Sequence, residues 1–100
     1  MKAVTAIVRT TGLERVVHAF EEAGIKRLTV SEVKGTGDEV RLRGPYSVHD
    51  RVELFVPDEC VDAVVRIILE NSGTGLAGDG IIAVAPLDYT VKIRNEERIS

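Results

Sequence analysis

The order in which two hydrophobic periodicities alternate along the chain restricts its fold more than any other feature. Apolar residues at every second position indicate strands, and apolar residues three and four positions apart indicate helices. The predicted elements, in chain order, are a strand at Lys2–Arg9, a helix at Thr11–Gly24, a strand at Ile25–Val33, a strand at Arg51–Val56, a helix at Cys60–Asn71 and a strand at Ile81–Ala85. The chain therefore contains the order strand–helix–strand twice.

A chain with this order has few ways to build one sheet. Because crossover connections are right-handed, it predicts an α+β fold, the ferredoxin-like βαββαβ sandwich, as one domain over residues 1–100. The two helices would cover one face of an antiparallel sheet. Residues 3–8 of the first strand are apolar or small on both sides, so the other face needs a cover as well. Another copy of the chain is the simplest cover, and we therefore expect an oligomer.

Composition and charge disfavour several classes of protein. The net charge of −3 and the lack of basic blocks argue against nucleic acid as a partner. No apolar run is long enough to span a bilayer, and the first residues lack the pattern of a signal peptide. With one cysteine, Cys60, no intrachain disulfide can form. We therefore expect a cytoplasmic protein.

No arrangement of residues typical of an enzyme is visible in the sequence. His18 lies on the polar side of the first predicted helix, where a solvated side chain is expected. His49 falls in the irregular segment Lys34–Asp50, without a cysteine or second histidine at metal-ligand spacing. Cys60 opens a helix without a neighbouring base, and we expect a small buried residue rather than a nucleophile. We therefore predict neither catalytic residues nor a metal site.

Glycine is concentrated before the last predicted strand, in the sequence TGLAGDG at Thr74–Gly80. Glycines let backbone N–H groups converge on an anion, but a glycine-rich turn between a helix and a strand is also a common connection. A second cluster, KGTG, spans Lys34–Gly37. Lys92–Arg94 predicts a short terminal strand with two cations on one side. Together the three segments would suit a polyphosphate, and two turns with a solvated tail are the alternative.

These segments resemble those of the PII signal-transduction proteins. TVSEVKGTG is similar to the family's second strand and the lead into its T-loop, TGLAGDG to its B-loop signature TGxxGDG, and VKIRNEE to its C-terminal loop. The resemblance implies a T-loop at about 36–50, a B-loop at about 73–80 and a C-terminal loop at about 88–100. It also implies a homotrimer that binds adenine nucleotides in the clefts between subunits.

The resemblance further implies which residues hold the nucleotide. One subunit would contribute Ile7, Gly35, Thr36, Gly37, Gly78, Asp79 and Gly80, and the neighbouring subunit would contribute Thr29, Glu53, Phe55, Lys92 and Arg94. Members of this family report nitrogen or carbon status and act on a partner protein through the T-loop. A membrane transporter or a metabolic enzyme is therefore the expected target.

Several positions depart from the family pattern and remove positive charge from the implied site. Ile81 stands where the family has a lysine, and Asp38 stands where it has an arginine. Glu39 replaces a glutamine that helps to hold magnesium and 2-oxoglutarate. Lys92 replaces an arginine, and its ammonium group lacks the planar pair of donors with which a guanidinium binds phosphate. We therefore expect ADP or AMP to be favoured, with ATP as a further ligand; an ordinary nitrogen regulator responding to ATP and 2-oxoglutarate, or a weak ATPase, is the alternative.

Three arginines, Arg41, Arg43 and Arg51, would restore positive charge if the T-loop folded over the cleft. A small anion such as bicarbonate beside ADP or AMP would then be a candidate co-ligand, as in PII-like proteins linked to inorganic carbon. A solvated loop face is the alternative reading of these arginines. Tyr46 resembles a loop tyrosine that some members have modified, although the loop is shorter here. A trimer of the divalent-cation tolerance type is disfavoured, because histidine and cysteine are not clustered.

Overall fold

The computed structural model describes residues 1–37 and 44–100, and these residues form two α-helices and six strands. The elements are β1 (Lys2–Arg9), α1 (Leu13–Glu22), β2 (Thr29–Gly35), β3 (Ser47–Val56), α2 (Val61–Ser72), β4 (Gly80–Pro86), β5 (Thr90–Val91) and β6 (Arg98–Ile99). One turn of 3₁₀ helix precedes each α-helix, at Thr10–Gly12 and at Asp58–Cys60. The predicted strand–helix–strand order is confirmed in both halves.

Strands β1 to β4 form one antiparallel sheet in the order β2-β3-β1-β4. β1 lies in the middle, because it pairs with β3 on one side and with β4 on the other. β5 and β6 form a separate two-stranded ribbon. Both helices pack on the same face of the sheet and share one core with it. This arrangement confirms the predicted α+β, ferredoxin-like fold.

A mostly aliphatic core fills the space between the sheet and the helices. The buried residues alternate along β1 and β3, as expected for a sheet with one covered face. The core residues are Val4, Ala6, Val8, Val16, Phe20, Val52, Leu54, Val56, Val64 and Ile68. All except Phe20 are aliphatic, so branched side chains provide most of the burial.

The beginning of β2 differs from the prediction, because the backbone just before β2 forms hydrogen bonds with the last turn of α1. Gly24 has a φ of +79°, and its N–H donates to the carbonyl of Glu21 at 3.0 Å. The N–H of Ile25 donates to the carbonyl of Phe20 at 2.8 Å. These two bonds form the C-terminal cap that glycine favours. The strand therefore begins at Thr29, and the predicted start at Ile25 was wrong.

The beginning of β3 was also predicted too late. β3 begins at Ser47, so His49 lies in a strand and not, as predicted, in an irregular segment. His49 and Asp50 are 8% and 9% exposed. The apolar alternation that marks the rest of β3 stops before these two polar residues, and this is why the sequence did not reveal the full strand.

Two further predictions were wrong. Lys92–Arg94 does not form a strand, because it belongs to the connection between β5 and β6. There the N–H of Lys92 donates to the carbonyl of Glu97 at 2.8 Å and closes a tight turn. Cys60 is exposed rather than buried, since it lies in the 3₁₀ turn ahead of α2 and not on the stripe that faces the core.

The second face of the sheet, which we call the open face, carries no helix formed by residues 1–37 or 44–100. Thr5 and Ile7 of β1 point to the open face, because they alternate with buried residues that face the helices. Phe55 of β3 and Ile81 of β4 share this face and are 57% and 68% exposed. Exposed apolar surface of this kind often marks an interaction site. Association through the open face stays a prediction.

Candidate functional site

Residues 73–80, which we call the glycine loop, join the end of α2 to the start of β4 and fold around the carboxylate of Asp79. Oδ2 of Asp79 accepts hydrogen bonds from the N–H of Thr74 at 2.7 Å and from the N–H of Gly75 at 2.8 Å. Oδ1 accepts from the hydroxyl of Thr74 and, at 3.0 Å, from Nε of Arg9. The shape of the loop therefore depends on one inward-facing side chain.

These donors keep Asp79 ionised. The hydroxyl of Thr74, followed by its backbone N–H, holds the pKa of the Asp79 carboxyl well below its usual range, and Arg9 and the N–H of Gly75 add to this effect. Partial desolvation acts in the opposite direction and is outweighed. The negative charge of Asp79 is therefore compensated within the loop.

Gly80 marks the point where the glycine loop meets the sheet. Its φ is +110°, a conformation that L side chains rarely adopt. A Cβ atom at this position would overlap the carbonyl oxygen of Ile7 and lie 2.8 Å from the carbonyl carbon of the same residue. Glycine is therefore required both by the backbone conformation and by the close approach of β1.

A groove of about 390 Å³, which we call the glycine groove, opens beside the loop. The residues that line it are Ile7, Val33, Gly35, Thr36, Gly37, Ser47, His49, Ala77, Gly78, Gly80 and Ile81. Six of the residues predicted to hold a nucleotide are brought together here: Ile7, Gly35, Thr36, Gly37, Gly78 and Gly80. Among the described lining residues there is no lysine or arginine, so this groove offers backbone groups, apolar surface and the polar side chains of Thr36, Ser47 and His49.

A second groove of about 690 Å³, which we call the basic groove, lies between the sheet and the C-terminal ribbon. The residues that line it are Met1, Arg27, Leu28, Thr29, Glu53, Leu54, Phe55, Thr90, Val91, Lys92, Ile93, Arg94 and Ile99. Five predicted residues meet here: Thr29, Glu53, Phe55, Lys92 and Arg94. Arg27 joins them and was not predicted, because it precedes β2 and only the fold places it beside the C-terminal ribbon.

The basic groove carries more positive than negative charge. Among its described lining residues, Arg27, Lys92 and Arg94 are cationic side chains and Glu53 supplies one carboxylate. Lys92 is partly compensated, since its Nζ lies 3.9 Å from Oε2 of Glu97. Arg27 and Arg94 form no ion pair or hydrogen bond with any residue in the described part of the chain. Two guanidinium groups are therefore available to an anionic ligand.

Glu53 is held in the ionised state by its neighbours in the sheet. Its Oε2 accepts a hydrogen bond from the hydroxyl of Thr5 at 2.8 Å and one from Nη2 of Arg51 at 3.3 Å. The hydroxyl of Thr5 is the largest cause of a lowered pKa of the Glu53 carboxyl, and Arg51 lowers it further against partial desolvation. The predicted anion-binding residue Arg51 is therefore engaged with Glu53 on the open face.

Replacing Thr5 with valine should raise the pKa of Glu53, because valine has nearly the same volume but no hydroxyl to stabilise the carboxylate. Arg51→Leu should raise it by less, since the arginine contact is longer. NMR titration of the Glu53 side-chain carboxyl carbon measures both shifts, with the exposed Glu70 as an internal control. An unchanged Glu53 pKa in the Thr5→Val variant would contradict this role of the hydroxyl.

No described residue lines both grooves, so one chain does not bring the two predicted sets together. Asp79, predicted to approach the phosphates, lines neither groove and instead borders a third cavity of about 440 Å³ that includes residues of α2 and β4. Arg51 also lines neither groove. Four residues with predicted roles lie outside the described residues: Asp38, Glu39, Arg41 and Arg43.

Two residues that contact the glycine loop were missed by sequence reasoning. Arg9 donates from Nη2 to the carbonyl of Ala77 as well as from Nε to Asp79. Nε2 of His49 lies 2.9 Å from the carbonyl oxygen of Gly78. No sequence signal marks this pair, because only the register of β1 against β3 brings Arg9 and His49 together.

The described part of the chain contains neither a cluster of metal ligands nor a helix that could span a membrane. Residues 1–37 and 44–100 hold no group of three His, Cys, Asp or Glu side chains placed to bind a metal ion. His18 is exposed, as predicted, and its Nε2 lies 3.0 Å from Oε1 of Glu22. Within the same ranges, no helix has both the length and the apolar character of a transmembrane span.

Comparison with known proteins connects these features to one family. The family model described as "Nitrogen regulatory protein P-II" matches residues 1–97. Two proteins of Methanothermobacter thermautotrophicus (strain Delta H), "Nitrogen regulatory protein P-II 2" and "Nitrogen regulatory protein P-II 1", are each 38% identical to the chain over 106 aligned positions. The alignments cover 97% of this chain and 92% of each relative. The chain therefore belongs to the P-II family of nitrogen regulatory proteins.

Proposed function

We propose that the protein is a regulatory binding protein, not an enzyme, that holds an adenine nucleotide between two subunits of a homotrimer. It would act on a partner protein, a membrane transporter or a metabolic enzyme, through its T-loop at about 36–50. The observation that carries this proposal is the division of the predicted nucleotide residues: six line the glycine groove and five line the basic groove. Such a division is expected if one subunit contributes its glycine groove and its neighbour contributes its basic groove to a shared site.

The chemistry of the two grooves supports a shared site. The glycine groove supplies backbone groups but no cation among its described lining residues, whereas Arg27, Lys92 and Arg94 line the basic groove. A nucleotide needs donors and positive charge for its phosphates and apolar surface for its base. The basic groove supplies cations and apolar surface, and the glycine groove adds the backbone groups of the glycine segments; two grooves facing each other from different copies would present both sets to one ligand. The apolar residues of the open face give such copies a surface for association.

The charge of the site supports ADP or AMP over ATP. Ile81 lies at the glycine groove, 68% exposed, where the family pattern has a lysine. Lys92 is partly compensated by Glu97. Each further phosphate brings negative charge that must be paired when it leaves water. A shorter phosphate chain therefore suits these grooves better.

A small anion such as bicarbonate is the proposed co-ligand, with Arg41, Arg43 and Arg51 as its candidate residues. Arg41 and Arg43 lie outside the described residues, so the proposal concerns Arg51, which would have to exchange its present carboxylate partner for the anion. Nη2 of Arg51 lies 3.3 Å from Oε2 of Glu53, a residue of the basic groove. A bicarbonate response would link the protein to carbon status. The alternative is an ordinary nitrogen regulator in which 2-oxoglutarate strengthens the binding of Mg-ATP.

Titration calorimetry with ATP, ADP and AMP, each with and without 2-oxoglutarate or bicarbonate, tests the nucleotide proposal. We expect ADP or AMP to bind more tightly than Mg-ATP, bicarbonate to strengthen that binding and 2-oxoglutarate to leave it unchanged. Mg-ATP binding strengthened by 2-oxoglutarate would establish the alternative, and failure of every nucleotide to bind would overturn the proposal. Sedimentation equilibrium tests the trimer, and a phosphate-release assay tests for weak ATPase activity.

Replacing Ile81 with lysine should raise the affinity for ATP by about 3- to 30-fold, the value of one charge-assisted hydrogen bond partly open to water. The gain for AMP should be smaller, because its phosphate chain is shorter. Leu76→Lys is the matched control: Leu76 has the same exposure of 68% but lines none of the three cavities. Equal gains in both variants would show that added charge, and not its position in the glycine groove, is responsible.

A further inference from the structure

Two residues at one end of the sheet contact the glycine loop side by side. Arg9 is the last residue of β1, and His49 lies directly opposite it in β3. Arg9 donates to the carbonyl of Ala77 and, at 3.0 Å, to the carboxylate of Asp79. Nε2 of His49 lies 2.9 Å from the carbonyl oxygen of Gly78. The pair therefore contacts three consecutive residues of the loop.

The contacts of His49 with Gly78 and of Arg9 with Asp79 are partly sheltered from water, whereas the contact of Arg9 with Ala77 is exposed. His49 is 8% exposed and the side chain of Arg9 is 28% exposed. Because a carbonyl oxygen only accepts hydrogen bonds, Nε2 of His49 must carry the hydrogen in this contact. Sheltered hydrogen bonds contribute more to local order than exposed ones, since water does not replace them as easily.

These bonds also fix the direction of the backbone donors in the loop. In a trans peptide the C=O and the N–H of the next residue point in opposite directions. Holding the carbonyls of Ala77 and Gly78 therefore also holds the N–H groups of Gly78 and Asp79. Gly78 has a φ of +89°, and a glycine-rich segment loses much conformational freedom when it becomes ordered.

We propose that Arg9 and His49 form a clamp that orders the glycine loop before any ligand binds. Since the clamp sets the loop's backbone, the two residues act as positioning residues for the ligand of the glycine groove. This second role rests on the proposed nucleotide binding, whereas the ordering of the loop does not. Because β3 begins at Ser47 and His49 lies within the segment 36–50 expected to be the T-loop, the clamp also ties the glycine loop to the end of that segment.

Hydrogen exchange of the loop amides in the ligand-free full chain tests the clamp, and ADP titration of the same variants tests the positioning role. His49→Leu keeps an apolar side chain but has no donor, and it should speed exchange at Gly78–Gly80 by about 5- to 30-fold. ADP affinity should fall by a similar factor. His49→Gln retains an amide donor and should recover part of both losses. His18→Leu, at an exposed histidine of α1, is the matched control and should change neither quantity.

Arg9→Lys provides a second, independent test of the clamp. Lysine keeps the positive charge but not the fork that reaches Ala77 and Asp79 together, so exchange in the loop should again become faster. Thermal melting of each variant shows whether the fold is retained. If His49→Leu does not fold, His49→Gln and Arg9→Lys decide the question, and both should exchange faster than the native protein at Gly78–Gly80.

The outcomes separate the clamp from the proposed function. Unchanged exchange at Gly78–Gly80 in the folded His49 and Arg9 variants would overturn the clamp, whether or not the protein binds a nucleotide. Faster exchange with unchanged ADP affinity would overturn the positioning role. A native protein that binds no nucleotide would refute the proposed function, while the exchange comparison would still decide whether the clamp exists.

Discussion

Replacing Gly80 with alanine is expected to destabilise the fold by about 3–5 kcal/mol, the combined cost of a strained φ and a backbone overlap. The backbone conformation disfavours a side chain, and the new Cβ would overlap the carbonyl group of Ile7. That carbonyl belongs to β1, the strand in the middle of the sheet, so it cannot move without displacing the core residues beside it. Since small domains are stable by about 5–15 kcal/mol, the variant would retain little stability.

Urea unfolding at a fixed protein concentration measures this effect, and two other glycines provide controls. Gly75 has a φ of +80° but open space around its Cβ position, so Gly75→Ala should cost only about 1–2 kcal/mol for the strained backbone. Gly35 has neither constraint, and Gly35→Ala should change stability by less than about 0.5 kcal/mol. If Gly80→Ala cost no more than Gly75→Ala, the close approach of the loop to β1 would be wrong.

The second large effect is expected from Asp79→Asn, which removes the charge around which the glycine loop folds. The amide of asparagine would place N–H donors among the donors of Thr74, Gly75 and Arg9, so the loop would lose several of its charge-assisted hydrogen bonds at once. We expect amide exchange at Thr74 and Gly75 to become about tenfold faster at neutral pH. We also expect the urea midpoint to fall.

The effect of Asp79 should depend on pH in a defined direction. The pKa of Asp79 is lower in the folded protein than its ordinary value of about 3.9 in an unfolded chain. Folding therefore favours the ionised form, and the stabilisation is complete above the unfolded pKa and is lost as the pH falls through the folded pKa. The difference in urea midpoint between the native protein and Asp79→Asn should begin to shrink below about pH 4.

Asp88→Asn is the matched control for this titration. Asp88 is exposed after β4 and forms no hydrogen bond or ion pair with any residue of the described ranges. Its variant should follow the native protein at every pH. A gap between the native protein and Asp79→Asn that stayed constant into strong acid would mean that the carboxylate of Asp79 is not held in its ionised form.

Local sequence was sufficient to predict the existence of the main elements. β1 was predicted at Lys2–Arg9 with its observed bounds, because this segment is rich in β-branched residues. The first residues of β2 and β3 were not predicted correctly. Ile25 belongs to the C-terminal cap of α1, and His49 is a buried polar residue at the point where the apolar alternation of β3 ends. Local sequence indicates the secondary structure that a segment favours, whereas the ends of β2 and β3 depend on contacts with neighbouring segments.

The candidate site divides in the same way. The two glycine clusters were visible in the sequence, and the structure places Gly35 and Gly78 in one groove as expected from the resemblance. Arg9, His49 and Arg27 were not visible, because each lies outside any motif. Their contacts arise from strand register and from the position of the C-terminal ribbon, which depend on the whole fold.

The separation of the glycine groove from the basic groove has a genetic consequence. In an assembly that closes through these grooves, a functional site belongs to a pair of neighbouring chains and not to one chain. A chain damaged only in its glycine groove would still lend an intact basic groove to the next subunit. In a mixed assembly, this chain can lie next to a chain damaged only in its basic groove. At the interface where the two intact grooves meet, one functional site would form. Loss-of-function alleles of the two grooves should therefore complement each other in trans, whereas two alleles of the same groove should not.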